Sequence, residues 1–312
     1  MIRTIASLLA RAVVVLTGAT LATFALLWHA PGDPALAIAE ARYASIPPTE
    51  VLDLVRAEAG LNAGFWPAFQ AWIGPLLVGD FGQSMVTGRD IWPELVTAMS
   101  YTVPLALVGL LIGMLISVPL ALIATRRPGG WMDRCAVAVA SIGAAIPAYW
   151  LGLLLILFFA VQLGWLPAMG ARTPAHIILP ALTLGLGVAA SLTRILRSGI
   201  LEARNQPFLP AIKRRGVSAR DIERAHVAPH AAIPVVTVFG LELAFLLEGA
   251  VMVEVIFARP GLGSFLVGAI EARDFPKVQA VVILAAMLFV TVNLLIDLIY
   301  HALDPRIGER DA

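Results

Sequence analysis

Residues 194–230 read RILRSGILEARNQPFLPAIKRRGVSARDIERAHVAPH, an arginine-rich stretch set between two long apolar runs. Glu202, Arg204, Lys213, Arg214, Arg215, Arg220, Asp221, Glu223 and Arg224 are interleaved there with Leu201, Phe208, Leu209, Ile212, Val217 and Ile222. One side of such a stretch can bury while the other stays in water. The pattern predicts a short helix, a stop at Gly216 and a second amphipathic stretch that ends at Ile233-Pro234. Two neighbouring helices need only about 2–8 residues to connect them. So long and mixed a segment reads as a docking surface that a membrane channel offers to a separate motor protein.

The rest of the chain supports the membrane part of that reading. Hydrophobic residues make up 59% and charged residues 14% of the 312 positions, and the mean hydropathy is +0.87, whereas soluble domains carry about 25% charge. A formal net charge of +1 argues against a nucleic-acid partner held by bulk charge. The lone Cys135 permits no intrachain disulfide and no cysteine metal cage.

A bilayer crossing takes about 20 mostly apolar residues. Six stretches qualify: Leu8 to Ala30, Thr97 to Thr125, Ala136 to Leu163, Ile177 to Leu196, Ala232 to Ile256 and Val278 to Leu303. The expected fold is therefore all-α, with six spans. Arg3 and Arg11 flank the first run, but Pro31-Gly32-Asp33-Pro34 follows it without a small-residue cleavage site, so residues 1–30 read as a retained anchor. Pro104 and Pro119 are candidate bending points in the second run.

Lysine and arginine accumulate in cytoplasmic loops. With a cytoplasmic N-terminus, fifteen of the 22 basic residues fall on that side and seven on the other, which places both termini in the cytoplasm. Residues 31–94 then form a small extracytoplasmic cap, ahead of a permease core at 95–312 that carries the cytoplasmic segment 194–230. Within the cap, Thr49 to Ala59 predicts a short helix with Val51, Leu54 and Val55 on one side. Gly60, Gly64 and the run from Gly79 to Gly88 predict loops around it.

Ordered motifs run along almost the whole chain. Ala211 to Gly216, followed by His226 to Pro234, resembles the EAA coupling loop of ABC importer permeases, which ends in Ile/Leu-Pro. Pro31-Gly32-Asp33-Pro34, Gly60-Leu61, Gly79 to Ser84, Ile146 to Trp150, Leu163 to Pro167, Leu179 to Thr183, Glu254 to Phe257, Pro260 to Gly263 and Leu303 to Arg306 resemble the permease subfamily for dipeptides, oligopeptides and nickel. The resemblance implies a bacterial inner-membrane, multi-pass permease subunit that does no covalent chemistry. Its partners would be a second permease (a heterodimer), two ATP-binding subunits that hold ATP and Mg, an external substrate-binding protein and membrane lipid, with no nucleic acid. It also implies ATPase coupling through Leu209, Ala211, Ile212, Lys213, Arg214, Arg215, Gly216, Val217 and Asp221. The chain departs from the family's small residues before the glycine at Ile212, Arg214 and Arg215, and Pro210 is compatible only with a helix start.

Glu242, Glu248 and Glu254 fall on the fifth apolar run, and Asn293, Asp297 and His301 on the sixth. A carboxylate at the bilayer centre costs roughly 2.5–3.5 kcal/mol on insertion scales, so each needs a partner or water. Glu248 reads as the deepest of these acids, and Glu242, Glu248 and Asn293 are the candidates for a translocation path. Glu254 and Asp297 read as structural pairing groups near the membrane faces. A secondary carrier that relays protons through Glu248 and Asp297 is the alternative from another class. His226 and His230 have ligand spacing, but Pro229 intervenes and the pair lies in the coupling segment. Gly109 and Gly113 form a small-xxx-small step for helix contact. The chain has no G-x-x-x-x-G-K-[ST] phosphate loop, so any ATP it uses is hydrolysed elsewhere.

Overall fold

The computed structural model describes the backbone of residues 2–29, 33–43, 48–58, 60 and 62–303. Pro31, Gly32, Leu61, Ala59 and Asp304-Pro305-Arg306 lie outside the described residues, as do the side chains of Asp297 and His301. Thirteen α-helices form among the described residues. They are α1 (Ile2–Trp28), α2 (Pro34–Tyr43), α3 (Thr49–Glu58), α4 (Phe65–Leu76), α5 (Ile91–Ala124), α6 (Trp131–Ala145), α7 (Ala148–Leu155), α8 (Ile178–Arg204), α9 (Leu209–Arg214), α10 (Ala219–Ile222), α11 (Ala228–Ile256), α12 (Leu262–Glu271) and α13 (Phe275–Leu303). Strand pairing among the described residues amounts to one isolated bridge, Gln83 to Asp90.

Among the described residues, four helices are long and apolar enough to cross a membrane, and one bent pair is so when its two arms are taken together. The bent pair is the third apolar run, which sequence predicts as a single span. It is instead α6 and α7 meeting at 99°, with α7 passing into a π-helical turn, Ile156–Gln162. Pro147 is the cause. Its ring disfavours the helical conformation in the residue before it, and Ile146 is accordingly extended at φ −81°, ψ 122°.

The chain divides into two compact units. One holds the residues up to Thr102 together with Pro260–Thr291, and the other holds Val103–Arg259 and the residues from Val292 onward. In the first, α2 and α3 pack through Ala35, Ile38, Ala39 and Val55, and Arg56 joins Asp33 at 2.7 Å. Leu54, expected on the inner side of α3, is 64% exposed, while Leu52 is packed in its place. Helices α2 and α4 occupy stretches that sequence reads as loop. The α4 helix is held by aromatic contact: Phe65, Phe69 and Trp72, at helical spacing, all meet Phe24 within 5.4 Å. A second core joins Ile91, Leu95 and Ala98 to Leu262, Ala280, Val281 and Leu284. Beside it the buried Asp274 accepts hydrogen bonds from the Ser84 hydroxyl and the Met85 amide.

The second unit is organised around α8, which packs on α6, α7 and α11. Its core includes Leu105, Leu110, Leu179, Leu184, Val188, Leu192, Leu246, Val253 and Phe257. Lipid tails are as apolar as leucine, so close approach of small residues does much of the work of helix association. The expected Gly109 and Gly113 step meets α8 in this way. A Cβ on Gly113 would lie 2.5 Å from a Val188 methyl, and one on Gly185 would lie 2.7 Å from the Gly109 carbonyl oxygen. The other side of α5 leaves Leu107, Leu111, Leu115, Val118 and Leu122 exposed in one apolar stripe, as suits a helix that faces lipid or another membrane helix.

Candidate functional site

The polar segment 194–230 begins as helix. Residues 194–204 prolong α8 by about three turns. After a short turn comes α9, with Pro210 in its first turn, where its missing N–H breaks no helical bond. The helix ends at Arg215, whose amide reaches the Ala211 carbonyl at 3.3 Å. Gly216 follows at φ 82°, a left-handed conformation in which glycine carries no Cβ penalty. Ser218 then caps α10. Its hydroxyl accepts from the Asp221 amide at 3.2 Å and donates to the Asp221 carboxylate at 2.6 Å. A π turn, Glu223–Val227, leads into α11.

Burial separates two faces of this segment. Leu209 is buried with Ala121, Ile200, Ala203, Val227 and Ala231, and Ile212 and Ile222 pack at the edge of that cluster. Ala211, Lys213, Arg214, Arg215, Gly216, Val217 and Asp221 are exposed. Seven of the nine candidate coupling residues are thus exposed, among them Lys213, Arg214 and Arg215, while Leu209 and Ile212 pack inward. His226 and His230 form part of the anchor as well. Phe208 packs against both rings, and the His230 ring Nδ1 is 2.8 Å from the His226 carbonyl oxygen.

Two ion pairs fix this surface to the helices behind it, and sequence reading did not find either. The Arg204 guanidinium holds both Glu223 carboxylate oxygens, at 2.8 and 3.3 Å, and also donates to the Thr125 carbonyl at 2.5 Å. It thereby joins the end of α8, the π turn and the chain just after α5. Two turns earlier, Arg197 makes a bidentate pair with Asp133 at 2.5 and 2.7 Å, and the Gly129 amide donates to the same carboxylate. The only signal in the sequence was the presence of charge within or beside an apolar run.

The intramembrane candidates separate clearly. Helix α11 starts four residues before the apolar run does, so Glu242 sits 14 residues from either end of the helix and Glu248 nearer its C-terminal end. Glu242 is 6% exposed, and it lines a cleft of about 310 Å³ with Gly143, Ile146, Thr183, Gly187 and Ser191. The Ser191 hydroxyl hydrogen-bonds its carboxylate, and Arg194 is close enough to act on it electrostatically. Glu248 is exposed and Asn293 half-buried, and neither lines this cleft. Glu254 is fully buried. No group of three or more His, Cys, Asp or Glu among the described residues is arranged to hold a metal ion.

The comparisons with known proteins agree on one architecture and one family. Residues 117–309 match the family described as binding-protein-dependent transport system inner membrane component. The glutathione transport system permease protein GsiC of Escherichia coli K12 is 37% identical over 277 residues, covering 89% of both chains. Its Shigella dysenteriae counterpart matches equally. Among solved structures, the inward-facing MetNI methionine ABC transporter aligns with TM-score 0.55 and 23% identity over 67% of this chain and 96% of that one. An amino acid ABC transporter solved with histidines aligns with TM-score 0.53 and 19% identity, over 66% and 92% respectively. Nothing in these relationships favours an ion-coupled carrier, and ATP hydrolysis in such systems is done by partner subunits. Fold, motif order and relatives together place this chain in the binding-protein-dependent transport system inner membrane component family, as the permease subunit of an ABC importer.

Proposed function

We propose that this permease admits peptide-type cargo, with glutathione the first compound to test, through a pathway opened and closed by ATPase subunits docked on residues 209–221. The observation that carries the docking reading is the left-handed Gly216 at the tip of an exposed, basic, short helix whose inner face is anchored by Leu209. The cargo reading draws on the glutathione permeases that match 89% of the chain. On this reading the chain crosses the membrane six times with both termini in the cytoplasm. It pairs with a second, different permease, and is served by two ATP-binding subunits that hold ATP and Mg and by an external binding protein. Leu209, Ala211, Ile212, Lys213, Arg214, Arg215, Gly216, Val217 and Asp221 make the motor contact, and Glu242, Glu248 and Asn293 belong to the path.

The mechanism is alternating access. ATP binding closes the motor pair, the surface from Leu209 to Asp221 moves with it, and Arg204 and Arg197 carry the displacement to Thr125, Glu223 and Asp133. The test is ATP hydrolysis and glutathione uptake in proteoliposomes that hold this chain with its partner subunits, comparing wild type with Gly216→Pro. Proline cannot adopt φ 82°, so the variant should assemble yet lose binding-protein-stimulated hydrolysis by tenfold or more. Unchanged stimulation would remove residues 209–221 from the motor contact.

A further inference from the structure

The cleft beside Glu242 has more space and more unspent polarity than helix contact requires. Three of its lining residues are glycines, Gly143, Gly187 and Gly249, and two more are alanines, Ala144 and Ala148. Gly143 and Gly249 serve close contact, since a Cβ on either would meet a neighbour at 3.2 Å, whereas a Cβ on Gly187 would meet nothing within 4 Å. Gly187 therefore borders open volume. The cleft's size, about 310 Å³, falls in the range of small-molecule sites, about 300–1,000 Å³.

Its chemistry is asymmetric. An ionised carboxylate offers about four acceptor positions, and the Ser191 hydroxyl fills one. The hydroxyl of Thr183, the other polar side chain on the lining, is spent on the Leu179 carbonyl at 2.9 Å. Glu242 thus faces the cavity with acceptor capacity left over, at the middle of a membrane helix where leaving it unused is costly. A ligand ammonium supplies three donors and the opposite charge. The break at Ile146-Pro147 borders the same cleft.

We propose that this cleft binds the free amino end of a peptide-type cargo, with Glu242 as its ammonium acceptor. The proposal rests on the importer reading and deepens it, because it assigns part of cargo selection to the permease itself. The probe is radiolabelled trialanine against its N-acetylated form, measured as saturable binding to the assembled importer complex in nanodiscs without ATP. Wild type should bind trialanine at least tenfold more tightly than the acetylated form. Glu242→Gln should weaken trialanine binding at least tenfold and erase the difference between the two peptides. Gly187→Leu, which fills the open volume and leaves the charge in place, should also abolish binding. Absence of saturable trialanine binding, or equal binding in wild type and Glu242→Gln, would overturn the proposal. Since the measurement needs no hydrolysis, its failure is separate from a failure of Gly216→Pro to uncouple the motor.

Discussion

Asp133 shows how a single side chain holds the transmitting part of the molecule together. It is 3% exposed while its partner Arg197 keeps 27%, so the pair lies between a surface bridge and a fully desolvated one. Removing one member of a buried pair costs about 3–5 kcal/mol; with Arg197 still touching water, Asp133→Asn should lower stability by about 2 kcal/mol. Thermal unfolding in mild detergent measures this. Arg197→Gln should give a similar loss, and the double variant clearly less than the sum, because the two residues share one interaction. An additive result would mean that the contact contributes little. Residues of this kind were not legible in the sequence, since partners 64 positions apart leave no local pattern. Gly216 and Pro210 were legible, because what they impose is local: a left-handed turn and a helix start. Glu242 was legible as an acid within an apolar run, but the cleft it lines was not.

Among the elements, α8 decides most, and its glycines decide how closely it can be approached. A methyl group at Gly185 would sit 2.7 Å from a backbone oxygen of α5 and 2.8 Å from Ile112, neither of which can yield without moving a helix, whereas at Gly18 on α1 nothing lies within 4 Å. Gly185→Ala should therefore broaden or split the size-exclusion peak of the purified chain and cut its yield severalfold, and Gly18→Ala should leave both unchanged. Equal behaviour of the two would show that the α5–α8 contact is looser than described. Helices with a long apolar period were legible as such from composition alone. The break in the third run was not placed, although Pro147 was in view, because proline inside an apolar stretch is also tolerated in continuous helices: Pro104 and Pro119 both lie inside α5. Helix α4 was missed because flanking glycines suggested loop, yet its Phe65, Phe69 and Trp72 already had helical spacing and needed only the distant Phe24 to complete the contact.

For the whole molecule, orientation is the property on which every functional statement leans, and the chain carries its own reporter. Cys135 is its one cysteine and is exposed, in the first turn and a half of α6. With both termini cytoplasmic, a membrane-impermeant maleimide should label it in inverted membrane vesicles and not in intact cells; labelling in intact cells would reverse the topology. The family was readable from sequence because its short motifs recur in order along the chain, and the relatives align over 89% of it. The cleft beside Glu242 was not readable, since it is built from three chain segments, residues 143–148, 183–191 and 242–249. That cavity has an electrical consequence. Where α6 and α7 part at 99°, backbone groups without helical partners line the cleft, and such groups persist at membrane depth only where protein or water satisfies them. Water that reaches Ile146 shortens the distance over which the transmembrane voltage falls. Moving one net charge through 100 mV involves about 2.3 kcal/mol, now concentrated on a thin barrier, while a cargo of zero net charge crosses that barrier with no electrical work at all.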